Sequence, residues 1–383
     1  MATGFGLDLP DYPWESLAPY AARARENANG MVDLSIGTPV DSTPEHIQAA
    51  LCAAADAPGY PTTAGTPELR AAITDWFARR RNVPDLDPET TVLPTLGSKE
   101  LVAWLPTLLG MTSGDVVAHP RIAYPTYDMG ARIAGATALP IDAVELISGE
   151  PGEDTSAVRL LWLNSPGNPT GEVLSLETLA ATVRWARANN VVVVSDECYA
   201  ELAWEDGSGS TPDVPCLLDP RVSGGSLDNL LVAYSLSKQS NLAGYRSSFL
   251  AGDPVLIRSL TTSRKHAGML VPKPVQEATR AALGDNTHVA EQKDRYAARR
   301  RSLKPALEAW GLRIDHSEAG LYLWASADED CWVTIDRLAD LGILAGPGIF
   351  YGAAGAQHVR FALTGSDERI GEAVSRLTRP TAS

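Results

Sequence analysis

Four short apolar runs in the middle of the chain, at residues 115–119, 159–164, 191–196 and 230–235, constrain the fold more than any other feature. Each is too short for a helix, rich in Val and Leu, and apolar at consecutive rather than alternating positions. A strand that is apolar on both faces must be covered on both faces. Helices packed on either side of a mostly parallel sheet meet that condition. Helical patterns separate the runs, so the spacing predicts an α/β architecture.

Further helices are expected at residues 44–55 and 67–81, with a turn-rich segment, 57–66, between them. The first 35 residues read as an arm and a short helix, 13–27, leading into the apolar stretch 31–36. The Gly-, Ser-, Pro- and Asp-rich segment 206–229 reads as a surface loop. From Pro274 the pattern changes to one long helical stretch through Arg301, a strand-like alternation at 320–325, a helix near 334–341 and a strand at 358–363. The expected organisation is a large α/β domain, 36–270, and a smaller α+β domain, 271–383 with 1–35.

A net charge of −15 works against general affinity for nucleic acid or anionic membranes. Any anionic ligand must therefore meet a local cluster of Arg and Lys. Cys52, Cys198, Cys216 and Cys331 are scattered, with no spacing that would pair them with the six histidines around a metal. They read as reduced thiols. The first residues carry acids and prolines where an export signal needs bases and then an apolar run, and no run has the length of a membrane span. A cytoplasmic protein is expected.

Ligands of open parallel sheets bind at the carboxyl ends of strands. Here those ends carry Asn164-Ser165-Pro166-Gly167-Asn168-Pro169, then Asp196-Glu197-Cys198-Tyr199, then Ser235-Leu236-Ser237-Lys238, with Arg246 eight residues after the lysine. The segment Gly97-Ser98-Lys99-Glu100 has small residues before a helix start, which leaves backbone N–H groups for an anion. Each piece alone has an ordinary reading: a helix cap, a turn, a solvated lysine, packing tyrosines.

Together, in this order, they resemble the class I/II aminotransferases of fold type I, enzymes that use pyridoxal 5′-phosphate. The resemblance covers nearly the whole chain and is most specific from Asn164 to Arg246. It implies that Lys238 forms the Schiff base and Asp196 pairs with the pyridine nitrogen. Tyr199 and Asn168 would bond the ring 3-hydroxyl, and Tyr124 would stack on the ring. Ser98 and Lys99 (through backbone N–H), Ser235, Arg246 and, less centrally, Ser237 would hold the phosphate. Tyr60 would reach the phosphate of a neighbouring subunit, which implies a homodimer with shared sites. Gly37 and Arg360 would receive the substrate's α-carboxylate. The chemistry suits these types: a carboxylate against the ring nitrogen keeps it protonated as an electron sink, and arginine forks meet phosphate and carboxylate with paired bonds.

The segments 33–41, 264–269 and 319–324 are similar to those of actinobacterial N-succinyldiaminopimelate aminotransferases. This implies amino transfer from glutamate to N-succinyl-2-amino-6-oxopimelate on the route to diaminopimelate and lysine, with Arg264, Lys265 and His266 as candidates for the distal carboxylates. An aspartate, alanine or aromatic aminotransferase, or a carbon–sulfur lyase, remains an alternative within the class. Outside it stands a catalytically silent regulator, against which the short N-terminus and negative charge count.

Overall fold

The computed structural model describes residue 7 and residues 9–149, 155–206 and 208–379. Its centre is a seven-stranded sheet in the order Val92–Leu96, Ser247–Gly252, Leu230–Ser235, Val192–Asp196, Val158–Asn164, Val116–His119 and Thr137–Pro140. Only Ser247–Gly252 runs against its neighbours. The four apolar runs are four adjacent strands of this sheet, parallel to one another.

Their unbroken apolarity has the expected cause. Leu161, Leu163, Val193, Val232 and Tyr234 pack into one hydrophobic cluster, while the alternate residues Leu160, Trp162, Val194, Leu231 and Ala233 pack into another. Period-two geometry sends each strand's side chains to two helix-covered faces. The helix Pro67–Arg81 shows why local chemistry suffices at its ends: Thr66 Oγ1 accepts from the Leu69 amide, Pro67 opens it, and Asn82 closes it in the left-handed region.

A third cluster joins Leu303, Leu307, Leu321, Leu323, Ile335, Phe361 and Ile370 to Leu17 and Leu34. It packs beneath an antiparallel sheet ordered Gly346–Pro347, His358–Ala362, Tyr322–Ser326, Arg313–Asp315. The N-terminal segment joins this unit directly, because Val32–Asp33 pairs in parallel with Ile343–Leu344.

Three expectations are corrected. The helical stretch from Pro274 to Arg301 is two helices, Lys273–Gly284 and Thr287–Ala309, broken at Asp285 and Asn286. The Asp285 carboxylate accepts from the Thr287 and His288 amides, so it starts a new helix instead of continuing the old one. The 206–229 segment is not all surface: Cys216, Leu217, Leu218 and Val222 are buried, and Pro220–Ser223 is a short helix. The edge strands Val92–Leu96 and Thr137–Pro140, and the antiparallel strand Ser247–Gly252, were not anticipated.

Candidate active site

The site forms where the carboxyl ends of the parallel strands meet the smaller unit. Asp196 ends its strand buried, with Oδ2 accepting from the Tyr127 hydroxyl at 3.0 Å and Oδ1 from the Cys198 amide at 3.2 Å. Burial raises its pKa, and the hydrogen bonds from Cys198 and Tyr127 offset this only in part. A carboxylate in that position is stabilised by any cationic N–H placed against it. Asn164, at the end of the neighbouring strand, donates to the Asp196 carbonyl at 2.9 Å, and its Oδ1 accepts from the Asn168 amide at 2.7 Å. The turn's first amide side chain thus ties two strand ends together and aims the second.

Asn168 Oδ1 accepts from Arg360 at 3.0 Å. Arg360 also donates to the Ser35 carbonyl at 2.6 Å, is 4 % exposed, and keeps a buried Nε with no partner among the described residues. A buried guanidinium with an unused N–H is fitted to a carboxylate. Lys238 Nζ donates to the Gly37 carbonyl. Gly37 has a steric reason to be glycine: a Cβ there would lie 2.1 Å from the Tyr322 hydroxyl.

The anion end is built separately. Helix Ser98–Leu108 begins after Gly97, whose φ is +85°. The Arg246 guanidinium lies against Gly97, where a Cβ would come within 2.1 Å of it. Ser98 and Lys99 therefore offer first-turn N–H groups beside an arginine fork. Ser235 Oγ donates to Ser237 Oγ at 2.8 Å and lies on the strand next to the one that carries Ser247. Lys99's side chain is directed elsewhere, with its ammonium 5.7 Å from the centroid of the Tyr12 ring. Tyr124 is half-buried, and burial pushes its phenol up to about 12. Tyr60 is 99 % exposed on its own chain.

Tyr322 was missed in the sequence, where it reads only as one residue of an alternating strand. Its hydroxyl is 3.5 Å from that of Tyr199, and the Arg360 guanidinium carbon lies 3.9 Å from its ring centroid. Burial would push this phenol up, but Arg360 and Lys238 outweigh burial and hold it below the ordinary tyrosine value. Burial and Tyr322 push Tyr199 well up. Tyr199 therefore keeps its proton to donate. Tyr127, the Asp196 partner, was also missed.

The sequence matches the profile described as aminotransferase class I and II over residues 29–377. The chain belongs to the class I and II aminotransferases. It is 53 % identical over 97 % of its length to the 4-dedimethylamino-4-oxo-anhydrotetracycline transaminase OxyQ of Streptomyces rimosus, covering 99 % of that protein. It is 50 % identical over 98 % of its length to the probable aminotransferase Rv1178 of Mycobacterium tuberculosis, covering 87 % of that protein. Among solved structures, an aminotransferase of Neisseria meningitidis superposes with a TM-score of 0.84 at 29 % identity, over 96 % of this chain and 97 % of that one.

This aminotransferase uses pyridoxal phosphate, and the site fits that cofactor on its own geometry. It has a helix N-terminus beside Arg246, a buried carboxylate in Asp196, a lysine, Lys238, held on the Gly37 carbonyl, and an arginine with an unused N–H at Arg360. Of the proposed distal-carboxylate ligands, Arg264 does not fit. It is fully buried and paired with both oxygens of Glu100 at 3.1 Å. Lys265 and His266 are exposed at the helix's C-terminal end, where positive charge complements the helix dipole.

Proposed function

We propose that this aminotransferase transfers the amino group of glutamate to N-succinyl-2-amino-6-oxopimelate. The observation that carries the reaction class is the convergence of Lys238, Tyr199, Tyr322 and Arg360 around Gly37. Bound pyridoxal phosphate supplies an electron sink for the α-carbon. Asp196 holds positive charge at the ring nitrogen, and Tyr199 and Asn168 hold the ring 3-oxygen. Ser98, Lys99, Ser235, Ser237 and Arg246 hold the phosphate, and Tyr124 packs on the ring. Arg360, backed by Asn168, orients the α-carboxylate, while the Lys238 amine moves the α-proton. The large domain, 36–270, carries most of these groups, and the small one, 271–383 with 1–35, carries Arg360. We place the enzyme in the cytoplasm as a homodimer, with Tyr60 completing the partner's site. The exposed Tyr12, Ile36, Val40, Tyr60 and Trp104 supply apolar surface for that contact.

The substrate assignment draws on the segments resembling N-succinyldiaminopimelate aminotransferases. Relatives named LL-diaminopimelate aminotransferase, such as that of Aquifex aeolicus at 32 % identity over 96 % of this chain, support the diaminopimelate skeleton but not the succinyl group. With Arg264 excluded, Lys99 is the better distal cation. An aromatic row, Tyr351, Trp14 and Tyr12, links Arg360 to it. The same row, with the relatedness to OxyQ, favours a second reading: amino transfer to a polycyclic ketone that stacks on those rings. Comparing kcat/KM for N-succinyl-diaminopimelate, free diaminopimelate and a 4-oxo-anhydrotetracycline, with wild type and Lys99→Ala, separates them. Selective loss of the succinylated compound in the variant supports the first reading. Preference for the polycyclic ketone replaces it.

A further inference from the structure

Asp285, which breaks the long C-terminal helical stretch, does more than cap a helix. Its Oδ2 lies 2.8 Å from Nδ1 of His288, three residues on, and 3.8 Å from Nε2 of His46. His46 belongs to the first turn of a different helix, Glu45–Ala53. One ligand atom from each of the three residues lies within 4.8 Å of the others. A cap needs only the carboxylate and the two amides that it accepts. It gives no reason for two imidazoles, 242 residues apart in the chain, to converge on one oxygen.

We propose that His46, Asp285 and His288 form a binding site for a borderline divalent transition-metal ion, with zinc as its type. Two imidazoles and a carboxylate are the donor set that such ions favour over magnesium or calcium, which take mostly oxygen. Metal–ligand bonds of about 2.0–2.2 Å put tetrahedral donors about 3.3 Å apart. The two separations to Asp285 Oδ2 bracket that distance. The adjustment falls on His46, whose side chain is 42 % exposed. His288 is the fixed ligand, with its side chain 5 % exposed. Its other nitrogen, Nε2, is 2.8 Å from Ser240 Oγ. With metal on Nδ1 the ring proton sits on Nε2 and is donated to that hydroxyl, an outer contact that fixes ring and tautomer. Three protein donors leave the remaining positions to water.

The site's place in the fold gives it a consequence. It clamps the N-terminal turn of Glu45–Ala53 to the junction between Lys273–Gly284 and Thr287–Ala309, and through Ser240 it touches the turn that carries Lys238. Bound metal should stiffen that junction. This inference does not depend on the substrate reading.

The test is calorimetric titration of ZnCl₂ into chelator-treated protein carrying its cofactor, in a Cys52→Ser background that removes the exposed thiol on the same helix. A thermal-melting scan and a Co²⁺ visible spectrum accompany it. The expected result is one saturable ion per chain, a raised Tm, Co²⁺ ligand-field bands, and no response to Mg²⁺. His46→Ala should weaken binding on the order of tenfold or more without lowering the metal-free Tm, and Ser240→Ala should weaken it less. Absence of saturable binding overturns the proposal. So does binding that survives His46→Ala unchanged.

Discussion

The Arg360 guanidinium stacks on the ring of Tyr322, 3.9 Å from its centroid, and the Tyr322 hydroxyl reaches Tyr199 at 3.5 Å. The guanidinium proposed to face the substrate and the phenol proposed to face the cofactor are thus joined through one residue. Arg360→Lys keeps the charge but loses the planar stack and the fork. We expect a loss of about 1.5–3 kcal/mol, roughly 10- to 150-fold in kcat/KM, for every amino donor. Tyr322→Phe keeps the stack and removes the hydroxyl. KM should change little, while the pH midpoint of the lysine-linked cofactor's absorbance band moves downward, because Tyr199 is no longer pushed up by Tyr322 and becomes a stronger donor. An unmoved midpoint would show that Tyr322 only packs.

Asp196 carries a pH signature. Its folded-state pKa is raised, so in cofactor-free protein it contributes stability that is fully present below the ordinary carboxylate value, about 4. That contribution is lost as pH rises through the folded value. Near neutral pH, cofactor-free Asp196→Asn should therefore melt no lower than wild type, with the difference shrinking as pH falls towards about 4. Under the proposed role the order should reverse with cofactor, because only a carboxylate would meet the ring's N–H⁺. Transamination should fall by about 3 kcal/mol or more. A variant that melts lower under all conditions would point to a strand-end cap.

Arg264→Ala should act on stability and not on specificity. Removing one partner of a buried pair leaves Glu100 uncompensated, at a cost of about 3 kcal/mol. Chemical denaturation should show that loss, while the ratio of kcat/KM for succinylated and free diaminopimelate stays constant. A changed ratio at unchanged stability would restore Arg264 as a substrate ligand.

Under the proposed shared site, the exposed Tyr60 should make cofactor retention depend on assembly. Tyr60→Phe should weaken cofactor binding about tenfold or more, the worth of a hydrogen bond to a charged group. Mixing it with Lys238→Ala chains should recover activity, since half of the sites in a mixed dimer then carry neither change. Full activity in a species that sediments as a monomer would remove the shared site.

Much of this protein was legible in the sequence, for a physical reason. The parallel strands announce themselves because burial on both faces demands unbroken apolarity, and the strand-end residues Asn168, Asp196, Tyr199, Lys238 and Arg246 stand at short, readable offsets from them. The helix Pro67–Arg81 carries its own start and stop signals. The edge strand Thr137–Pro140, with its outer positions exposed, lacks that signature. What only the tertiary structure decided is which distant residues meet. A basic run at 264–266 looks alike whether it is solvated, paired or ligating; its arginine is buried because Glu100, 164 positions earlier, lies opposite. Tyr322 enters the site only because antiparallel pairing of Tyr322–Ser326 with His358–Ala362 brings its strand beside that of Arg360. His46 and His288 show no metal spacing along the chain, yet packing sets them around one carboxylate. Local pattern reports what each segment must bury; the partner it buries against is a property of the folded chain.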